Sequence, residues 1–160
     1  KREEKRQLQL SKEQFRNGIA KVQENLENHP NGLTGEALEK LNPLKHSFAD
    51  GCYIREIFNP KGELLVTKIH KVSHPFFLMK GDMTILMEDG IKRIKAPHYG
   101  ITPAGTKRII YCHEDCIFVT VHATKLTDIA KIEEEVIAKD FDEFDKEEME
   151  KFKRKVEVEL

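Results

Sequence analysis

Seven short runs rich in β-branched and aromatic residues lie between residues 51 and 124, and they constrain the fold more than any other feature. The runs are Cys52–Phe58, Glu63–Ile69, Phe76–Met79, Met83–Met87, Ile91–Ile94, Thr106–Cys112 and Cys116–Ala123. Turn signals such as Asn59-Pro-Lys-Gly62 and Glu88-Asp-Gly90 separate them at intervals of about 8–12 residues. Because no helical pattern lies between these runs, a parallel α/β architecture is disfavoured. The spacing predicts an antiparallel sandwich or barrel.

Helical periodicity flanks this region on both sides. Apolar residues recur at helical spacing before the β region and again after it, and a shorter helix is expected over Thr34–Leu41. The apolar positions of the outer helices are Phe15, Ile19, Val22, Leu26, Ile129, Ile132, Val136, Ile137, Met149, Phe152 and Val156. We therefore predict a mainly β fold, a single jelly-roll barrel with helices at both ends. Residues 1–50 form a helical N-terminal extension, 51–125 the barrel and 126–160 an acidic helical C-terminal segment of one folding unit.

The charge balance restricts the partners that the chain can bind. Its 160 residues carry 27 Lys and Arg against 28 Asp and Glu, a formal net charge of -1. A general nucleic-acid binder is expected to be strongly basic, so nucleic acid is excluded as a partner. The acidic side chains are concentrated after residue 127, whereas the β region has a net positive charge. A small anionic molecule is therefore expected to meet the β region.

Several sequence features are missing, and their absence restricts the cellular compartment and the enzyme classes that we expect. No apolar run is long enough to cross a bilayer, so we predict no membrane partner. Three cysteines do not make a disulfide framework, and no secretory signal is visible, so a cytoplasmic setting is expected. No nucleophile elbow, phosphate loop or dinucleotide-binding glycine motif occurs. No residue identifies a reaction.

The spacing of two histidines and two glycines carries a resemblance to a known family. From Lys61 to His122 the chain resembles a cupin, whose first motif reads G-x5-H-x-H-x3,4-E-x6-G. Gly62 and Gly81 match its first and last glycines, and His70 matches its second histidine. His74 stands where the family has glutamate, and Lys68 occupies the first histidine position. The resemblance implies a cupin-type barrel with metal ligands on its inner strands.

The second cupin motif, G-x5-P-x-G-x2-H-x3-N, is met at its turn but not at its ligand. Pro103-Ala-Gly105 matches the turn, whereas Arg108 occupies the histidine position. With Lys68 and Arg108 in place of two histidines, a standard four-ligand cupin site is excluded. The sequence is also similar to small phage-encoded cupins, which would place the protein in the host cytoplasm.

A replacement ligand is available if two neighbouring runs pair with each other. Thr106–Cys112 and Cys116–Ala123 should form a hairpin about His113-Glu-Asp115, which places His122 beside the position of Arg108. His70, His74 and His122 then form a three-imidazole site, suited to Zn, Fe, Mn or Ni. A register slip of one residue would turn His122 outward.

The same cavity can also be interpreted as a metal-free pocket. Lys68 and Arg108 are cations that disfavour a neighbouring metal ion and favour a carboxylate or phosphate ligand. Tyr99 and Tyr111 are candidate ligand-binding residues, as a stacking face or general acid, although a strand tyrosine also serves packing alone. Cys112 and Cys116 bracket His113, but the ligand set is incomplete, so two reduced thiols are favoured over zinc there.

Two functions follow from these alternatives. The first is a small cupin that binds a divalent metal, a small anionic ligand or both inside the barrel. The second is a non-enzymatic module that sequesters a ligand or contacts a host protein. A homodimer is expected in either case, through an edge strand or through the apolar stripe of the N-terminal helix.

Overall fold

The computed structural model describes residues 2–159, with the side chains of residues 5, 7–10 and 159 left aside. The helices are α1 (Arg2–Glu27), α2 (Gly35–Leu41), α3 (Ile129–Val136) and α4 (Phe141–Glu159). The strands are β1 (Leu44–Ala49), β2 (Cys52–Asn59), β3 (Leu64–Val66), β4 (Ile69–His70), β5 (His74–Lys80), β6 (Asp82–Met87), β7 (Gly90–Lys95), β8 (His98–Thr102), β9 (Ile109–Cys112), β10 (Cys116–Ala123) and β11 (Ile137–Ala138).

Two antiparallel sheets and a short strand pair make up the β region. The larger sheet has the order β1-β2-β10-β5-β8, and the smaller has the order β3-β9-β6-β7. Strand β4 pairs with β11, which follows α3. Helices flank the strands at both ends of the chain. The prediction of a mainly β jelly-roll fold with helical additions at both ends is confirmed.

The main core lies between the two sheets, because alternate residues of their strands point toward each other. Phe76, Leu78 and Phe118 contribute from the larger sheet, and Met83 and Ile85 from the smaller. A second cluster joins Tyr53 of β2 to Ile132 and Val136 of α3. Helix α3 therefore covers one end of the larger sheet.

The predicted hairpin between the last two strands does not form. Strand β9 pairs with β3 and β6, whereas β10 pairs with β2 and β5 in the other sheet. The His113-Glu-Asp115 connection therefore crosses between sheets. Adjacent strands pair only as a tendency, and here the buried positions of β9 and β10 complete opposite walls of one core.

Three strands lie where the sequence indicated none, and one of them is β11, which contains Ile137 of the predicted C-terminal helix. Strand β1 falls within the predicted helical extension, so the larger sheet begins at Leu44 and not after residue 50. Strand β8 begins at His98, directly after Pro97, in a segment for which no strand was predicted. Gly100 of β8 faces the Phe76 ring, and a Cβ there would lie 2.9 Å from Phe76 Cε1. Glycine is therefore favoured at position 100 by the close approach between the two strands.

The terminal helices pack against each other and against the strands. Ile19 of α1 is buried, so the predicted apolar stripe faces this chain's own core. Arg16 forms two hydrogen bonds to Asp145 of α4 and lies over the Phe141 ring. Within residues 2–159, no helix combines the length and apolar character needed to cross a membrane.

Candidate metal and anion site

The inner face of the larger sheet changes from apolar to polar along its strands. Beyond Phe118, the inward positions of β10 are Thr120 and His122, and both are buried. Thr120 pairs with Phe76 of β5, so continuing that register brings His122 opposite His74. The apolar core therefore gives way to a polar end of the barrel at the next inward position of each strand.

His70 reaches the same place from the short strand pair. It is the second residue of β4 and pairs with Ile137 of β11. Its carbonyl accepts a hydrogen bond from the Gly105 amide at 2.8 Å, which fixes the loop before β9 against β4. Three strands from separate parts of the chain thus contribute one histidine each.

The three imidazoles form a compact cluster. Their ring centroids are 4.3 Å apart for His70 and His74, 4.5 Å for His74 and His122, and 5.4 Å for His70 and His122. One ring nitrogen of each lies within 4.8 Å of those of the other two. This is the only such group of potential ligands among the described residues. Since ligands of one ion at about 2.1 Å lie roughly 3–4 Å apart, small ring movements would suffice to bind one.

Hydrogen bonding leaves free nitrogens in this cluster. His74 Nδ1 is 3.2 Å from the Val72 carbonyl, to which it donates as the N–H tautomer. His74 Nε2 and His122 Nδ1 are buried without a hydrogen-bond partner in the described chain. A metal-binding histidine typically donates its other nitrogen to a carbonyl in this way. Buried polar atoms without partners are rare in proteins, so the site is suited to a ligand or ion.

Burial keeps the imidazoles neutral, which is the form that binds metal. Burial, with smaller contributions from the neighbouring histidines and arginines, lowers the pKa of His70 to about 2. Burial also lowers the pKa of His122 to about 4, with a smaller contribution from His74, and it lowers the pKa of His74. At neutral pH all three rings therefore offer a lone pair without first losing a proton.

A buried arginine lies beside the cluster. Arg108 is only 4% exposed, and its Nε has no hydrogen-bond partner in the described chain. Its guanidinium carbon is 5.7 Å from the Phe76 ring centre and 5.8 Å from that of Phe118. The Arg108 amide donates to the Thr67 hydroxyl and the Arg108 carbonyl accepts from the Thr67 amide, and these two hydrogen bonds hold its backbone in position. The burial lowers the pKa of Arg108 to about 10, so it remains charged at neutral pH.

A second arginine, Arg55, was not predicted from the sequence. Arg55 is half-buried on β2, where it pairs with Thr120, and its charge lowers the pKa of both His70 and His122. The alternation of β2 could have identified it, because Arg55 stands between the inward residues Tyr53 and Ile57. With Arg108 it brings two guanidinium groups to this end of the barrel, and the charge of Glu133 acts on Arg55 from nearby.

An aromatic stack connects the cluster to the surface at β1. The Tyr53 ring lies 6.1 Å from that of His122 and 5.8 Å from that of His46. The Tyr53 hydroxyl is 2.7 Å from His46 Nδ1. Tyr53 is buried under α3 and its pKa is raised by that burial, so it remains a neutral phenol.

Three predicted ligand-binding residues lie away from this cluster. Lys68 is exposed, with its Nζ 3.8 Å from a Glu133 carboxylate oxygen, because the chain leaves the sheet between β3 and β4 and the strand alternation is interrupted. Tyr99 is exposed on the outer face of the larger sheet. Tyr111 is an exposed residue between two inward residues of β9 and lies edge-on to His113. Of the predicted set, the structure brings together His70, His74, His122 and Arg108.

The Cys112–Cys116 segment forms a different environment. Both thiols are free and fully buried, and the Cys116 thiol donates to the Glu114 carbonyl at 3.1 Å. His113 Nε2 is 2.7 Å from the Thr84 hydroxyl. Burial raises the pKa of Cys112 to about 12, so it is a protonated thiol. The preference for reduced thiols over a zinc site agrees with this packing.

Comparisons with known proteins find similarity at the level of the fold. No protein-family model matches the chain and no curated protein is significantly similar to it. The DMSP lyase DddQ from Ruegeria pomeroyi is a similar solved structure, with 13% identity and a TM-score of 0.50 over 59% of this chain and 53% of that one. A cupin-2 domain protein from Shewanella frigidimarina has 12% identity and a TM-score of 0.43 over 51% and 79%. The cupin domain of Schizosaccharomyces pombe Cnp3 has 18% identity and a TM-score of 0.44 over 57% and 69%.

Cupin-domain proteins are thus among the solved structures that this chain is similar to. At such identities the similarity concerns the fold, and the histidine cluster must be interpreted from its own chemistry.

Proposed function

We propose that the protein binds one divalent transition metal ion through His70, His74 and His122 and takes a small anionic ligand beside it. The observation that carries the proposal is the set of three neutral imidazoles, two buried and one partly buried, with ring nitrogens within 4.8 Å of one another. Two of those side chains have a buried nitrogen without a partner. Three histidines suit Zn, Fe, Mn and Ni, and leave coordination positions open.

The anion is proposed from the cations that surround the cluster. Arg108 offers a guanidinium without an acidic partner among its described contacts, and a guanidinium binds carboxylate and phosphate in a bidentate manner. Arg55 adds positive charge from β2 of the larger sheet, where it pairs with Thr120. A bound metal would supply Lewis acidity and orientation to such a ligand. Arg108 would hold the far end of the ligand and fix its position against the apolar rings of Phe76 and Phe118.

The metal can be tested on protein purified without an affinity tag. After chelation and dialysis, titration with Zn, Mn, Ni or Fe(II) should give close to one bound ion per chain by elemental analysis. His70→Ala and His122→Ala should each weaken binding at least 10-fold. His113→Ala is the matched control, since that histidine is bonded to Thr84 outside the cluster. Substoichiometric metal in the wild type, or equal loss in the control, would refute the proposal.

A second candidate function is a binding module that holds an anion without a metal. The two arginines favour it, because cations beside a metal ion weaken its binding. In this case acetate, phosphate or oxalate should raise the melting temperature of the metal-free protein. Arg108→Met should abolish that shift, whereas Arg93→Met, on the surface of β7, should not. If the shift occurs only with metal bound, the first function is favoured.

A further inference from the structure

The outer face of the larger sheet is apolar although it faces away from the core. Four large side chains on two adjacent strands are exposed there, with Tyr99 76%, Ile101 65%, Met79 63% and Phe77 36% exposed. Phe77 pairs with Tyr99, and Pro75 pairs with Ile101, so these residues form one continuous patch. An antiparallel sheet exposed to water normally alternates apolar and polar residues. β5 and β8 do not follow this pattern.

The patch continues across the neighbouring strands. Val119 of β10 pairs with Phe77, and Val119 is half-exposed on the same face. The other half-exposed apolar residues that point outward here are Pro75, Ile117, Val121, Ile54 and Phe58. Charge appears at the margins of the patch, where Lys45 of β1 lies 3.9 Å from Glu56 of β2 and where the exposed Lys80 ends β5 opposite Ile117. The face thus has an apolar centre beside a polar margin, as protein interfaces do.

We propose that this face binds a second copy of the chain, the two larger sheets packing face to face in a symmetric dimer. Apolar faces of two sheets pack against each other, and in a twofold dimer the same face of each copy meets its counterpart. Among the outward residues of β5, β8 and β10 only Lys80, at the end of β5, is charged, which disfavours a nucleic acid or a strongly charged protein as the partner.

The size of the patch is appropriate for a dimer. At roughly 200 Å² for a large side chain, the four exposed residues present on the order of 500 Å². Their half-exposed neighbours bring the face to about 700 Å², so that two copies would bury about 1,400 Å². A stable interface buries about 1,200–2,000 Å², whereas a monomer rarely leaves more than a few hundred Å² of contiguous apolar surface in water.

Sedimentation velocity over about 1–100 μM tests the proposal directly. The wild type should sediment at twice the 18.6 kDa of one chain. Met79→Asp and Ile101→Asp should each raise the dissociation constant at least 100-fold, because each would bury an unpaired carboxylate. Ile91→Asp is the matched control, since Ile91 is 75% exposed on β7 of the other sheet. That variant should remain dimeric.

Folding can be checked independently, because none of these residues belongs to the histidine cluster. Should an aspartate variant lose its circular dichroism signal, Tyr99→Ser replaces it as a milder change on the same face. A wild type that is monomeric at 100 μM would overturn the proposal, as would equal dissociation of the Ile91→Asp control. Binding of a monomeric wild type to phosphatidylcholine vesicles would assign the face to a lipid surface instead, which also overturns the dimer.

Discussion

Replacing Arg108 by methionine should stabilise the metal-free protein, although the site would lose its anion-binding group. We expect this because the Arg108 charge is buried without a hydrogen-bond or acidic partner among the described residues. The Arg108 side chain is 4% exposed and its Nε has no partner among the described residues. Methionine keeps most of the apolar stem that packs in the barrel and removes the charge.

The magnitude can be worked from the acidity of the group. Burial lowers the pKa of Arg108 from its ordinary value of 12.5 to about 10. Since one pKa unit corresponds to about 1.4 kcal/mol, the charged form is destabilised in the fold by on the order of 3 kcal/mol. The Phe76 and Phe118 rings return about 1 kcal/mol through cation–π contact. Arg108→Met should therefore raise the free energy of unfolding by about 1–3 kcal/mol.

Urea denaturation in chelator, at low concentrations of carboxylate and phosphate, measures this change. Arg93→Met serves as the control, because the Arg93 guanidinium is paired with Asp82 through two hydrogen bonds and should stabilise the fold. Added phosphate should stabilise the wild type and leave the Arg108→Met variant unchanged. If that variant were less stable than the wild type by more than about 1 kcal/mol, the guanidinium would not be an uncompensated charge, and the reasoning would fail.

Three further predictions concern packing and ion pairs elsewhere in the fold. Gly105→Ala should lower stability by about 2–3 kcal/mol in urea denaturation, because Gly105 has φ +77° and a Cβ would lie 2.5 Å from Phe144 Cε1; Gly62→Ala, with φ +85° and no such neighbour, should cost less. In native protein only Cys52 should react with iodoacetamide, and alkylation of all three thiols without denaturant would contradict the buried pair. The hydrogen bond from Arg16 lowers the pKa of the Asp145 carboxyl below its ordinary value of 3.8. The stabilisation that this pair contributes is therefore present above pH 3.8 and is lost as the pH falls through the lowered pKa. The stability difference between wild type and Asp145→Asn should therefore disappear in acid.

The sequence predicts those strands whose pattern is complete in itself. Cys116–Ala123 begins and ends where alternation and flanking turn residues indicate. Strand β1 was missed because all of its residues are exposed, so no alternation with the core distinguishes it. The failed hairpin shows a second limit. The choice between pairing β10 with β9 or with β2 depends on which wall of the core each strand completes, and no local pattern contains that information.

The histidines illustrate how a site can be predicted on partly wrong grounds. His70 and His74 were identified from their spacing, and both lie in the cluster. His122 was placed there through pairing with the strand before it, whereas its actual neighbours are Tyr53 and the strand of His74. Lys68 shows the converse, since motif spacing placed it inside the barrel and a break between strands carries it outside. Spacing therefore located His70 and His74, although residues 71–73 separate their strands, but it did not locate Lys68, which lies between two strands.

The two faces of the larger sheet carry opposite kinds of residue on the same strand. Along β10, Thr120 and His122 face a polar end of the barrel, while Val119 and Val121 face outward. A strand that placed polar residues outside and apolar ones inside would be more stable as a monomer. This inverted pattern is explained if the inner polar residues bind a ligand and the outer apolar residues are covered in a dimer. Arg108→Met and Ile101→Asp test these two conditions separately, because the first changes only the inner face and the second only the outer.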